Sequence, residues 1–214
     1  MKHIHLFGIG ISLLLASCGG TENETQEEVT DKVIENCIYT YNPAMTALDW
    51  TAYKFLRKAG VGGTFTTINV EGNKSGADPK SIIESLSFSI PVSSVETNDP
   101  GRNKKIDSLF FGKLNNSSLL SGKVVSLGEN GKAILLVTMN DISNEVEGDY
   151  TLTDNVFTFN TEINVERWNA QSGIESLNEA CKDLHTDVEN GDTESKLWSD
   201  VTISFSTELS KECN

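Results

Sequence analysis

The spacing of apolar residues changes within residues 82–114, and the change predicts two elements in succession. From Leu86 to Val92 apolar side chains alternate with serines, so they share one face of the chain. Residues 82–92 are therefore predicted to form a strand with one buried face. Farther along, apolar residues recur at helical spacing, which predicts a short amphipathic helix near residues 104–114.

Extended segments of this kind dominate the chain from residue 48 onward. Eight segments are rich in β-branched and aromatic residues and are predicted to be strands. They cover residues 48–56, 64–70, 82–92, 119–127, 133–139, 146–152, 156–165 and 197–209. Two of the joins are short and contain glycine, asparagine or aspartate, at residues 128–131 and 154–155, so they predict antiparallel hairpins.

The number of helices decides how these strands are covered. Only one further helix is predicted, near residues 174–185, where apolar residues form a stripe. Two short helices cannot cover the apolar faces of eight strands, so the sheet is expected to close on itself. The prediction is an all-β fold, a single closed antiparallel eight-stranded barrel with two short helices. A two-sheet sandwich is the alternative.

Several motifs, in order, carry a resemblance to a known family. The first is residues 48–55, with a glycine-rich turn at residues 60–65; the alternating strand then ends at residues 91–95 and is followed by Arg102 and a Phe110–Phe111 pair. Residues 161–169 and an alternating final strand, 201–209, complete the set. Over about residues 37–213 the chain resembles the YceI-like family of periplasmic polyisoprenoid-binding proteins. The resemblance implies a lipocalin-like barrel with a polyprenyl lipid or isoprenoid quinone threaded through its lumen.

Aromatic residues on the predicted inward faces are the candidates for contact with such a ligand, together with the aromatic pair of the first helix. Small residues beside them are expected to leave the lumen incompletely filled. The candidate ligand-binding residues are Tyr53, Phe55, Phe65, Phe88, Ile90, Phe110, Phe111, Phe157, Phe159, Trp168 and Phe205. The alternative function is a barrel filled by its own side chains that acts as an interaction or stress module without a ligand.

The sequence contains few patterns that indicate catalysis or metal binding. No zinc-ligand spacing, phosphate-binding loop or nucleophile elbow occurs. Once the N-terminal segment is removed, His185 is the only histidine; as a helix C-terminal residue it is expected to interact with backbone carbonyls. We therefore predict a protein that is not an enzyme and that has no metal and no cofactor apart from a bound isoprenoid.

The N-terminal residues predict export and lipidation. Residues 1–17 combine a lysine, an apolar run and small residues before Cys18, which is the pattern of a lipoprotein signal peptide. Acyl chains on Cys18 are expected to anchor the protein to the bacterial cell envelope, with the outer membrane as the expected site. Residues 18–36 are acidic and poor in apolar side chains, so they predict a flexible tether before the domain at residues 37–214.

The net charge limits the classes of partner, and the number of cysteines limits the possible disulfides. The chain of 214 residues has a formal net charge of −14, which disfavours nucleic acid as a partner; the oligomeric state stays open, dimer included. Lipidation of Cys18 leaves three cysteines in an oxidising compartment, with three pairings possible. Because the first and last strands of an even-stranded barrel meet, we predict a Cys37–Cys213 disulfide and a buried, unbridged Cys181.

Overall fold

The computed structural model describes residues 36–214, so the predicted signal segment, Cys18 and the tether as far as residue 35 lie outside the described residues. The strands are β1 Cys37–Lys54, β2 Ala59–Phe65, β3 Asn69–Glu71, β4 Ser75–Gly76, β5 Ser87–Pro91, β6 Val95–Glu96, β7 Leu119–Leu127, β8 Lys132–Met139, β9 Ile142–Thr153, β10 Val156–Asn164 and β11 Leu197–Cys213. The α-helices are α1 Pro79–Ser85, α2 Pro100–Lys105 and α3 Gln171–Ala180. A π-helical turn, Ile106–Phe110, extends α2, and 3-10 turns lie at Val92–Ser94, Phe111–Lys113, Val165–Trp168, Lys182–His185 and Val188–Asn190.

The strands form one curled antiparallel sheet rather than a closed eight-stranded barrel. Its hydrogen-bonded order is β3-β5-β7-β8-β9-β10-β11-β1-β2-β6, with the short β4 beside β1. The order has two ends, β3 and β6, so the sheet is a half-barrel and the prediction of a closed barrel was wrong. An all-β fold with few helices is confirmed.

The sheet stays open because the pairing between its two ends is interrupted on both sides. Residues 66–68 leave the sheet between β2 and β3, and the 3-10 turn Val92–Ser94 separates β5 from β6. The ladders β2–β6 and β3–β5 therefore remain separate short pairings.

The predicted strand 82–92 was wrong in its first half, where α1 forms instead. Asp78 caps this helix, since its carboxylate accepts hydrogen bonds from the backbone N–H groups of Lys80 and Ser81. Proline at the first helical position has its φ preset for a helix, so the Asp78–Pro79 pair starts one where alternation alone indicated a strand. Ile82 and Ile83 both point into the core from α1.

A disulfide joins the first and last strands. β1 and β11 pair in antiparallel register with Cys37 opposite Cys213, and the two sulfurs are bonded. Cys181 is free and buried. The predicted pairing is thus confirmed, and it depends on the adjacency of the terminal strands rather than on full closure of the sheet.

The two ends of the curled sheet differ in what lies over them. We call the end with Cys37 and Cys213 the disulfide end; the β7–β8 and β9–β10 hairpins turn there. The opposite end, where β1 finishes at Lys54, is the mouth end. Here the helical segment from α2 to residue 113 packs against α3, with the Phe110 ring directly on Gly173.

The apolar core lies on the inner face of the sheet, beneath these helical segments. Its largest fully buried side chains include Trp168, Ile82, Ile83 and Leu209. Within residues 36–214 no helix has the length and apolar character needed to cross a bilayer.

Candidate ligand-binding cavities

A cavity of about 450 Å³ lies at the mouth end, between the sheet and the helical segments. We call it the rim cavity. Strands β1, β2, β10 and β11 supply one side of it, and the segments around α2 and α3 supply the other. Its volume is within the range of small-molecule sites in proteins.

A second cavity of about 170 Å³ lies in the middle of the sheet. We call it the core cavity. Nearly all of its lining side chains are aliphatic or aromatic, and most come from strands. It has no charged side chain in its lining, so only an apolar occupant is matched by its walls.

Six side chains belong to the linings of both cavities, which makes the two spaces neighbours across one wall. This shared wall consists of Trp50, Phe65, Leu120, Met139, Ile163 and Ile203. All six are apolar except for the indole N–H of Trp50, which donates to the carbonyl of Thr64 at 3.3 Å. The cavities are therefore adjacent apolar spaces, one at the mouth end and one within the sheet.

Glycines beneath aromatic rings keep this space unfilled. Gly63 lies opposite Trp50 and Gly122 lies opposite Phe88 in adjacent strands, and a Cβ at either glycine would overlap the ring. Each ring can therefore lie flat on its neighbouring strand instead of projecting to the centre. The same arrangement occurs at the pairs Phe159–Gly148 and Phe110–Gly173.

Charged side chains are confined to the rim cavity. Lys54, Arg102 and Lys105 line it together with one carboxylate, Asp99, which caps α2 by accepting from the backbone N–H of Arg102 at 3.0 Å. Lys54 Nζ donates to the carbonyl of Leu184 at 2.9 Å. Burial lowers the pKa of the Lys54 ammonium, and the positive charge of Arg102 lowers it further.

His185 also lines the rim cavity, and its ring is held by one hydrogen bond. Its side chain is largely buried, and Nδ1 lies 2.9 Å from Oδ1 of Asn178. The Asn178 amide nitrogen donates to Ser195, so its oxygen faces the imidazole and Nδ1 carries the proton. Burial, followed by the charges of Lys54 and Lys105, lowers the pKa of His185 to about 4, which keeps the ring neutral at pH 7.

Ten of the eleven predicted ligand-binding residues lie at one cavity or the other. The rim cavity brings together Tyr53, Phe65, Phe110 and Phe111. The core cavity is lined by Phe65, Phe88, Ile90, Phe157, Phe159, Trp168 and Phe205.

Phe55 lies outside both linings. It follows the end of β1 with a positive φ of 66°, which turns the chain away from the sheet. Its ring lies beneath the Lys54 ammonium, 4.4 Å from the nitrogen, and near the Arg57 guanidinium. Alternation predicted an inward position because the pattern does not reveal that the strand ends one residue earlier.

Several residues that line the rim cavity were not predicted from the sequence to belong to the site. Lys54, His185 and Trp198 were not among the candidates, although His185 was expected to contact backbone carbonyls near a helix end. Its side chain bonds to the side-chain oxygen of Asn178 and not to a backbone carbonyl, so that expectation was wrong. Part of the predicted apolar stripe was a useful signal, since Ile174, Leu177 and Cys181 all line the rim cavity. Leu184, the last member of that stripe, lies beyond the end of α3 and is exposed.

Within residues 36–214 no group of three or more histidine, cysteine, aspartate or glutamate side chains is arranged to hold a metal ion. The polar groups at the rim are instead spread along one edge of an apolar space. Such a site can bind by burial of apolar surface and orient a ligand by a few hydrogen bonds.

Comparisons with known proteins agree with this architecture. A family model described as the YceI-like domain matches residues 39–209. No curated protein matches the sequence. Among solved structures, a polyisoprenoid binding domain from Saccharophagus degradans aligns with a TM-score of 0.54 at 14% identity, covering 84% of this chain and 99% of its own. BcnA from Burkholderia cenocepacia aligns with a TM-score of 0.51 at 13% identity, covering 80% of this chain and 99% of its own.

Proposed function

Because this chain belongs to the YceI-like domain family, we propose that it binds one long apolar isoprenoid, with the prenyl chain in the core cavity and the head end in the rim cavity. The proposed ligand is either a polyprenyl lipid or an isoprenoid quinone. The family is one of binding proteins rather than enzymes, and its members are bacterial and commonly periplasmic. The Saccharophagus degradans relative is itself described as polyisoprenoid binding, which supports the choice of ligand class.

The observation that carries the proposal is the pair of apolar cavities on either side of one shared wall. A prenyl chain is slim and apolar, and each buried methylene contributes about 0.8 kcal/mol to binding. The core cavity offers no partner to a charged or strongly polar ligand. A polar metabolite therefore fits this space poorly, whereas the apolar walls match a hydrocarbon chain.

Unfilled volume favours ligand binding over the alternative of a ligand-free interaction module. A barrel that served only as a scaffold is expected to fill its interior to normal packing density. Here four glycines leave room beneath the aromatic rings that line the cavities.

The test is to purify the protein from its native membrane without detergent exchange, extract it with organic solvent and analyse the extract by mass spectrometry. We expect about one isoprenoid per protein. Absence of any isoprenoid in the extract, together with no uptake from added prenyl lipids, would reject the proposal.

Two adjacent valines on β7 provide a matched pair of variants for this test. Val124 lines the core cavity, whereas Val125 is exposed. Val124→Phe is expected to fill part of the cavity and lower the extracted isoprenoid severalfold, and Val125→Phe is expected to leave it unchanged. Equal occupancy in both variants would contradict the assigned position of the prenyl chain.

The Phe110–Phe111 pair lines the rim cavity, and its role in binding is part of the proposal. Phe111 is also buried and packs edge-to-face with Phe110, 4.9 Å between ring centres. Phe111→Ala is therefore expected to lower both stability and bound isoprenoid. A large loss of stability at unchanged occupancy would leave Phe111 with a packing role alone.

We further propose that the protein is held on a membrane of the cell envelope by lipid on Cys18, with residues 18–36 as a tether and the outer membrane as the site. The support is the sequence pattern that ends at Cys18. Cys18→Ala is expected to move the protein to the soluble fraction and to abolish labelling by radioactive acyl chains while the domain stays folded. Retention of the variant in the membrane fraction would contradict lipidation at this residue.

A further inference from the structure

His185 has one ring nitrogen whose hydrogen-bonding capacity is not used within the described chain. Nδ1 donates to Asn178, and Nε2 has no partner within residues 36–214. In that same part of the chain no side-chain nitrogen or oxygen is both fully buried and unpartnered, so Nε2 is accessible from a space. We assign that space to the rim cavity, because the His185 side chain lines it and the residue is only 9% exposed overall.

The state of the ring makes Nε2 an acceptor. With Nδ1 protonated, a neutral imidazole has a lone pair and no hydrogen on Nε2. Two other polar groups of the rim cavity are bonded to residues outside its lining: the Tyr53 hydroxyl pairs with Thr202 at 2.6 Å, and the Trp198 indole N–H donates to the carbonyl of Phe55 at 2.7 Å. His185 thus offers a neutral acceptor on a largely buried side chain that lines the rim cavity.

A donor capable of completing a pair of hydrogen bonds lies nearby. Lys54 uses one of its three N–H groups on the carbonyl of Leu184, the residue next to His185, and retains two. A group that both donates to Nε2 and accepts from Lys54 would match these two side chains. A hydroxyl does both, whereas an ether oxygen only accepts.

We propose that His185 Nε2 accepts a hydrogen bond from a hydroxyl on the head of the bound isoprenoid, so that the site selects prenyl alcohols and quinols over the same molecules capped at that oxygen. The inference rests on the proposed function and deepens it by naming the chemistry of the head. Replacing the hydroxyl by an ether leaves a buried acceptor without a donor, and sites of this kind discriminate against the analogue that lacks the proton.

The test compares geranylgeraniol with its methyl ether by competition in native mass spectrometry. Wild-type protein is expected to prefer the alcohol by roughly 5- to 10-fold, the size of one hydrogen bond. His185→Phe is expected to bring the preference close to one, and His185→Gln, which keeps an acceptor oxygen, is expected to retain part of it.

Two results would overturn the inference: equal binding of alcohol and ether by wild-type protein, or an unchanged preference in His185→Phe. The first requires no variant and is therefore independent of whether a substitution folds. If wild-type protein binds neither ligand, the proposed function fails as well; if it binds both equally, only the role of His185 fails.

A spectroscopic measurement adds a readout that a purely structural histidine would not give. Nitrogen-15 labelling of histidine in protein lacking residues 1–17 reports on His185 alone, since the other two histidines are His3 and His5. The Nε2 resonance is expected to be that of an unprotonated nitrogen and to shift when geranylgeraniol binds. A resonance that moves equally with the methyl ether would contradict the hydrogen bond.

Discussion

The rim cavity and the core cavity share a wall but are built from different elements. The core cavity is lined mainly by strand residues that share the inner face of the sheet, whereas the rim cavity has one side made of helical turns and loops. All of the charged lining residues are at the rim. Two adjacent cavities can therefore differ in chemistry: the core cavity matches only hydrocarbon, whereas the rim cavity has polar groups that can bind a head group.

The largest expected difference between the cavities is in the loss of stability when Trp168 at the core cavity or Trp198 at the rim cavity is replaced. Trp168 is 0% exposed at the core cavity, and its indole N–H donates to the carbonyl of Val137. Trp168→Ala is expected to lower the free energy of unfolding by roughly 3–5 kcal/mol, because a large cavity and an unpaired carbonyl remain. Trp198 is half-buried at the rim cavity, so Trp198→Ala is expected to lower the free energy of unfolding by only about 1–2 kcal/mol. Chemical denaturation of both variants makes the comparison, and equal losses would contradict the distinction between the cavities.

A pH dependence of stability is expected at the rim cavity. The pKa of His185 is about 4 in the folded protein, against an ordinary value of 6.5, because burial and the nearby charges of Lys54 and Lys105 disfavour its protonation. Between these two values the unfolded chain binds more protons, so the free energy of unfolding falls as the pH decreases from 6.5 to 4, by up to roughly 3 kcal/mol.

Urea unfolding at a series of pH values measures this loss, with His185→Gln as the control. The carboxylates titrate in both proteins, so the difference between the two curves isolates the histidine. Parallel curves would mean that His185 is protonated as readily in the folded protein as in the unfolded chain.

Adjacent glycines on β2 test whether space beneath an aromatic ring maintains the shared wall. Gly63 lies under Trp50, whereas a Cβ on Gly62 would meet only the carbonyl oxygen of Trp50 at 3.7 Å, an ordinary contact. Gly63→Ala is expected to displace the indole towards the cavities and to cost about 1–3 kcal/mol. Gly62→Ala should change the free energy of unfolding by less than about 0.5 kcal/mol. Thermal unfolding of the pair decides this, and similar melting temperatures would show that the ring adjusts without strain.

The smallest effect is expected at Phe55, beyond the rim cavity. Its ring contacts two cationic side chains at the surface and lies outside both linings. Phe55→Leu is expected to leave isoprenoid occupancy unchanged and to lower stability by about 0.5 kcal/mol, the size of an exposed cation–π contact. A clear drop in extracted isoprenoid would instead extend the binding site past the end of β1.

Local patterns predicted the core cavity far better than the rim cavity. Period-two alternation identifies the inward side of a strand, so Phe88, Phe157, Phe159 and Phe205 were identified from spacing alone. Residues such as His185 and Lys54 line the rim cavity because separate segments of the chain come together there. The spacing of residues within one segment does not predict such contacts between segments.

Closure of the barrel was not predictable from residue spacing either. Strand count and hairpin turns indicated a curled antiparallel sheet, which the structure has. Whether its edges join depends on residues 66–68 and on the 3-10 turn Val92–Ser94, where the chain leaves the sheet. These are local exceptions to alternation, and a pattern averaged over a whole strand hides them.

Strand β1 gives the molecule a direction. Its first residue, Cys37, is at the disulfide end, and its last, Lys54, lines the rim cavity, so 18 residues separate the two poles. At about 3.3 Å per residue such a strand is up to roughly 55 Å long when straight. If Cys18 carries acyl chains, the proposed tether of residues 18–36 would join the domain at the pole far from the rim cavity, so the anchor would not block the mouth end.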